Sequence, residues 1–190
     1  MHRNLALVSS LAAIVSAAGA MGCSSSSGSS ASTSSTTGGG SQGGCTSQTV
    51  IFSKDVAPAF IAAGCSLASV CHGQPNNGGE EDLFLGDNDG STDPKMIYAQ
   101  LVGVLSKEDP TMNLVTAMST DNSYLWHKID GDQNSNSAVS CANQVSECSN
   151  CNTTTPCGAA MPDTGMALII QEPNNFCIIQ NWIEEGAPNN

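Results

Sequence analysis

Gly64-Cys65-Ser66-Leu67-Ala68-Ser69-Val70-Cys71-His72-Gly73 places a histidine directly after the second of two cysteines. Cys-x-x-Cys-His is the attachment signal of c-type haem. Its two thiols add to the haem vinyl groups, and the adjacent imidazole reaches the iron. Adjacency matters because the thioether at the second cysteine sets the next side chain under the metal. Five residues separate Cys65 from Cys71, where the usual signal has two. Three arrangements of this pair stay open. The spacer bulges and both cysteines form thioethers, Cys71 alone forms one, or Cys65 and Cys71 close a small disulfide loop and the domain carries no haem.

Upstream, residues 1–22 read as an export signal. His2 and Arg3 give a positive start, and Leu5 to Ala20 is apolar, small and too short for a stop-transfer helix. Ala20-Met21-Gly22-Cys23 is similar to the bacterial lipobox, in which the cysteine is lipidated and becomes the mature N-terminus. Residues 23–48 are then a lipidated linker rich in Ser, Gly and Thr, unable to bury apolar surface. Residues 49–190 hold the core, enough for one domain. These features together predict an exported protein, periplasmic or at the cell surface, anchored to a bacterial membrane by its lipid.

Arg3 is the only arginine. Without it the chain keeps four lysines against 17 acidic residues, a net charge of −13. Such a surface repels phosphate backbones, so no nucleic acid partner is expected. Cys23 aside, eight cysteines remain: Cys45, Cys65, Cys71, Cys141, Cys148, Cys151, Cys157 and Cys177. In an exported chain an even count implies disulfides. The local Cys148-x-x-Cys151 has zinc spacing, but export favours bridges there too.

Downstream of the β-prone Thr49-Val50-Ile51-Phe52, Ser53 reads as the cap of a helix with Val56, Phe60 and Ile61 on one face, ended by Gly64. Asp87-Asn88-Asp89-Gly90 alternates carboxylates before a glycine but lacks the rest of a calcium loop, and reads as an acidic turn. Asp93 caps a second helix from Pro94 to Ser106, with Ile97, Leu101, Val104 and Leu105 on its inner face. A third runs from Asp121 to Ile129. Its His127 reads as a structural histidine more readily than as a ligand. Asp130 to Pro156 is a polar, cysteine-rich insert that needs bridges as staples. A last helix begins near Pro173, turns Phe176, Ile179, Trp182 and Ile183 inward, and stops at Gly186. Cys177 on it is expected to tie this helix to the insert.

In order, these parts resemble class I cytochrome c domains, and more closely the divergent cytochrome c-like lipoprotein domains of myxobacteria and planctomycetes. The resemblance rests on five features over residues 50–190. They are Val56-Ala57-Pro58-Ala59-Phe60, Cys71-His72-Gly73, Ser123-Tyr124-Leu125-Trp126-His127-Lys128-Ile129, Met161-Pro162, and Trp182-Ile183-Glu184-Glu185-Gly186-Ala187. It implies an all-α, cytochrome c-like small helical domain with long loops and a disulfide-rich insert. It implies covalent haem c on Cys65 and Cys71, with His72 and Met161 as the axial iron ligands, a pairing that raises the potential. Trp182 and Phe60 would pack the first and last helices near the haem. The function so implied is electron transfer with a redox partner, and not enzymatic catalysis. In keeping with this, His72 and His127 are the only histidines beyond the signal. Neither sits in a nucleophile-elbow, Ser/His/Asp or His-x-x-x-His pattern. A haem-less module held by disulfides, acting as a surface interaction or structural lipoprotein, is the alternative.

Overall fold

Phe52, Trp182 and Tyr98 meet at the centre of the computed structural model. The Phe52 and Trp182 ring centroids lie 5.0 Å apart, and Phe52 and Tyr98 meet edge to face at 5.3 Å. The structure describes residues 44–67, 71–73, 80–141, 151–163 and 166–190. Among these residues it is helical, with isolated β-bridges and no strand. The expected signal, Cys23, most of the linker and Cys148 lie outside them.

The first helical segment opens with a π-helical turn, Phe52–Val56, and continues as α1, Ala57–Ala62. Ser53 is therefore inside the segment and not its cap. The capping role falls to Asp55, whose Oδ2 accepts the Ile51 N–H at 2.8 Å. Phe52, Val56 and Phe60 are buried on one face. The β-prone run before it forms no strand. The C-terminal end takes up N–H groups here instead: Val50 N–H donates to Glu185 Oε2, Phe52 N–H to Asn190 Oδ1, and the following Ser53 N–H to Asn190 O.

α2 spans Pro94–Leu101, with the Asp93 side chain accepting from Lys95 N–H as its cap. It stops five residues short of the expected Ser106. Val102 is extended, Gly103 adopts φ +72°, and the chain bridges to residues 113 and 115. Helical periodicity fails there, so Val104 and Leu105 are exposed and only Ile97 and Leu101 of the expected face are buried. α3 spans Tyr124–Asp130, starting after Ser123 rather than at Asp121, and ends at Gly131 in the left-handed region. A short α4, Leu168–Gln171, was not foreseen.

α5, Pro173–Glu184, is the central helix, packed on the π-turn, α1, α3 and α4. Phe176, Ile179, Trp182 and Ile183 are buried as their spacing predicts. The chain after Gly186 folds back over it. Trp182 Nε1–H donates to Pro188 O at 3.1 Å and Tyr98 Oη to Ala187 O at 2.9 Å, so the donors of the buried Trp182 and the half-buried Tyr98 are both satisfied.

Two disulfides have both partners among the described residues. Cys141–Cys157 closes the insert, as its polar composition requires. Cys45–Cys177 ties α5 to the N-terminal segment, and not to the insert. Cys71 and Cys151 are disulfide-bonded as well. Cys65 is a thiol, so the Cys65–Cys71 loop bridge does not form.

Candidate functional site

His72 is fixed on three sides by backbone. Its N–H donates to Cys65 O at 2.9 Å, and its carbonyl accepts from Leu85 N–H at 2.7 Å. Nδ1 lies 3.1 Å from Leu83 O. A carbonyl can only accept, so Nδ1 carries the proton and the lone pair of the neutral ring sits on Nε2. This is how proteins orient a metal-binding imidazole: one nitrogen anchored to a carbonyl, the other kept basic.

Met161 comes from a segment 89 residues further along the chain. Its N–H donates to Lys128 O on α3 at 2.7 Å, and its carbonyl accepts from Leu168 N–H at the start of α4 at 3.0 Å. The peptide bond to Pro162 is cis. Gly131 lets this loop approach α3. A Cβ there would stand 2.8 Å from the Ala167 Cβ, and the backbone sits at φ +87°.

His72 and Met161 line the same cavity, of about 310 Å³. Its walls are largely aliphatic, including Leu83, Leu85, Leu114 and Leu125, with Val104 and Leu105 at its exposed side. The early end of α2 is what turns Val104 and Leu105 toward this space instead of the core. The volume falls at the lower end of the ~300–1,000 Å³ range of small-molecule sites.

Charged groups also reach the cavity. Lys128 Nζ donates to Glu108 Oε1 at 3.2 Å and to Cys157 O at 2.9 Å, and lies over the Tyr124 ring. Both partners of this ion pair are largely buried. Burial, reinforced by the Glu108 charge, raises the Tyr124 phenol pKa, so the ring stays neutral. Lys107 and Asp82 form a second, exposed pair at the rim. Neither ion pair was foreseen from the sequence. Lys128 and Glu108 lie on different segments, and only their packing joins them.

The expected attachment thiols, Cys65 and Cys71, neighbour His72 but do not reach the cavity it shares with Met161. Cys65 belongs to the main core, and burial, with a contribution from the Glu172 charge, pushes its thiol up to about 12. Cys71 is oxidised. Trp182 and Phe60 pack in the core and do not reach the cavity either. The chemistry of His72 and Met161 suits the axial ligands the resemblance implies, and neither expected attachment thiol reaches the cavity.

His127 does not line the cavity. It is buried with both ring nitrogens engaged, as a structural histidine would be. The acidic turn is closed on itself: Thr92 Oγ1 donates to Asp87 Oδ2 at 2.6 Å, and Ser91 N–H to Asp89 Oδ1 at 2.9 Å. The Ser91 bonds hold the Asp89 carboxyl below its ordinary range. Among the described residues no helix is long and apolar enough to cross a membrane. No family model, curated protein or solved structure matches this chain.

Proposed function

We propose that this chain is a cell-envelope electron-transfer protein that holds haem c between His72 and Met161. The observation that carries the reading is the shared cavity: two residues distant in sequence line one aliphatic space, and Leu83 O sets the tautomer of the imidazole. Bound there, haem would supply a one-electron Fe(III)/Fe(II) couple. The chain's own residues would do the rest. His72 presents Nε2 in a fixed orientation, and Met161 offers a thioether sulfur. The leucines exclude water, which limits solvation of the charge change. Cys71, adjacent to His72 in sequence, would be the attachment thiol, giving a single thioether. Cys65 is the weaker candidate because its thiol lies in the core.

The setting agrees with an oxidising compartment, since the chain is stapled by disulfides. We place it as a lipoprotein tethered through Cys23 by its Ser/Gly/Thr linker, serving a redox partner and no nucleic acid.

A second reading has its own support. The Cys71 disulfide and the core position of Cys65 suit a haem-less module that keeps the fold as a scaffold for surface interaction. A thioether and a disulfide at Cys71 exclude each other. Intact mass of protein made in a host with a haem c maturation system therefore separates the two readings. A mass increase of one haem supports the carrier, and mapping Cys71 to a disulfide in all molecules supports the scaffold.

A further inference from the structure

The first described residues lie along α5. Cys45 is bonded to Cys177, Asn181 Nδ2 donates to Thr46 O at 3.1 Å, and Glu185 Oε2 accepts from Val50 N–H at 3.2 Å. Positions 177, 181 and 185 are four apart, so they fall on one face of the helical path. From Val50 back to Cys45 the chain therefore runs toward the N-terminal end of α5. The Ser/Gly/Thr linker from Cys23 joins the fold there.

α4 lies at that same end, with only Glu172 between it and α5. Leu168 seats α4 in the core, and its outer side is apolar. Met166, just before α4, and Ile170 within it are 51% and 66% exposed. Pro173, the first residue of α5, is exposed as well, and Ile169 is half-buried. Charge follows the same division. The sequence carries no charged side chain from Cys23 to Ser53, and only Glu172 from Met166 to Ile183. These two stretches thus hold one of the chain's 17 acidic residues. Glu172 is itself half-buried and accepts from Asn175 Nδ2. Anionic headgroups repel carboxylates, so an acidic domain held beside a bilayer turns its uncharged end toward it.

We propose that the α4 end of the domain, with Met166 and Ile170 foremost, rests on the surface of the bilayer to which the linker tethers it. The lipid anchors the chain, and the patch sets its orientation. The apolar side chains enter the interface to the depth of a peripheral contact, about 5–10 Å. That Cys23 carries the anchoring lipid rests on the lipoprotein reading; the choice of this face does not.

The test uses full-length protein purified with its anchor and reconstituted into vesicles of phosphatidylethanolamine and phosphatidylglycerol, with acyl chains brominated near the headgroup. Asn174→Trp, at an exposed position beside Pro173, is the reporter, and the wild-type signal of Trp126 and Trp182 is subtracted. The expected result is loss of reporter fluorescence relative to unbrominated vesicles. Met96→Trp, exposed on α2, should keep its fluorescence. Adding Met166→Ser and Ile170→Glu to Asn174→Trp should restore most of the lost signal while the anchor still holds the protein on the vesicle. Both side chains are exposed, so the core is untouched, and circular dichroism checks the fold. An unquenched Asn174→Trp overturns the proposal, whether the patch stays in water or a second copy covers it. So does equal quenching of Met96→Trp, or quenching that survives Met166→Ser with Ile170→Glu. Intact mass reads the anchor separately. A Cys23 without lipid refutes the lipoprotein reading, and the same series tethered by an N-terminal polyhistidine tag to nickel-chelating lipids then decides the face.

Discussion

His72 and Met161 line one cavity although the chain between them passes through α2, α3 and the cysteine-rich insert. If both bind iron, changing the thioether should change the potential while the protein stays folded. In haem-loaded Met161→Ala the potential should fall by a measurable part of the ~0.8 V range that axial ligands span. The sixth position should also become accessible to exogenous ligands. Redox titration monitored by absorption checks this, and an unchanged spectrum would remove Met161 from the site.

The Lys128–Glu108 pair gives a stability prediction that needs no haem. Lys128→Met leaves the Glu108 carboxylate buried without its cation and should cost about 3–5 kcal/mol. Adding Glu108→Gln should recover most of that loss, because the expensive element is the uncompensated charge. Urea unfolding of the two single variants and the double variant measures the coupling.

Cys45–Cys177 closes a loop of 132 residues in sequence separation. In the chain-entropy account a bridge of that span stabilises by about 4–5 kcal/mol. Replacing both cysteines with serine should lower the urea midpoint accordingly. Replacing Cys141 and Cys157, separated by only 16 residues, should cost less, about 3 kcal/mol.

Cys65 makes stability fall at alkaline pH. Its thiol is raised from 9.0 to about 12 by burial, so the folded state keeps a proton that the unfolded state has released. The contribution is fully present below pH 9 and is lost as pH rises from 9 to about 12. Cys65→Ala should flatten that limb of the stability profile. A thiol reagent should reach Cys65 only in denaturant, and rapid labelling of the native protein would contradict its core position.

Local pattern made α5 legible in the sequence. Pro173 at its start and the spacing of Phe176, Ile179, Trp182 and Ile183 agree with each other and with the packing. The all-α class was legible in the helical periods and the resemblance they add up to, and the use of disulfides in the even cysteine count of a chain read as exported. The end of α2 was not: Val104 and Leu105 continue the helical period in sequence, but Gly103 and the bridges to residues 113 and 115 override it. Cysteine pairing is a tertiary fact, so the partner of Cys177 could not be read from spacing. Of the four expected site residues, His72 and Met161 line one cavity, and Cys65 and Cys71 do not. The hydrogen bond from His72 to Leu83 O, the buried Lys128–Glu108 pair and the His127–Asp132 pair depend on chain segments that meet only on folding.

The most direct test of the central claim is a haem stain on a denaturing gel with an absorption spectrum, on full-length protein matured in a haem c host. Covalent haem with a reduced-state α band, lost in Cys71→Ser and shifted in Met161→Ala, is the predicted result. A colourless protein with Cys71 in a disulfide would contradict it and leave the fold as a scaffold without a redox centre.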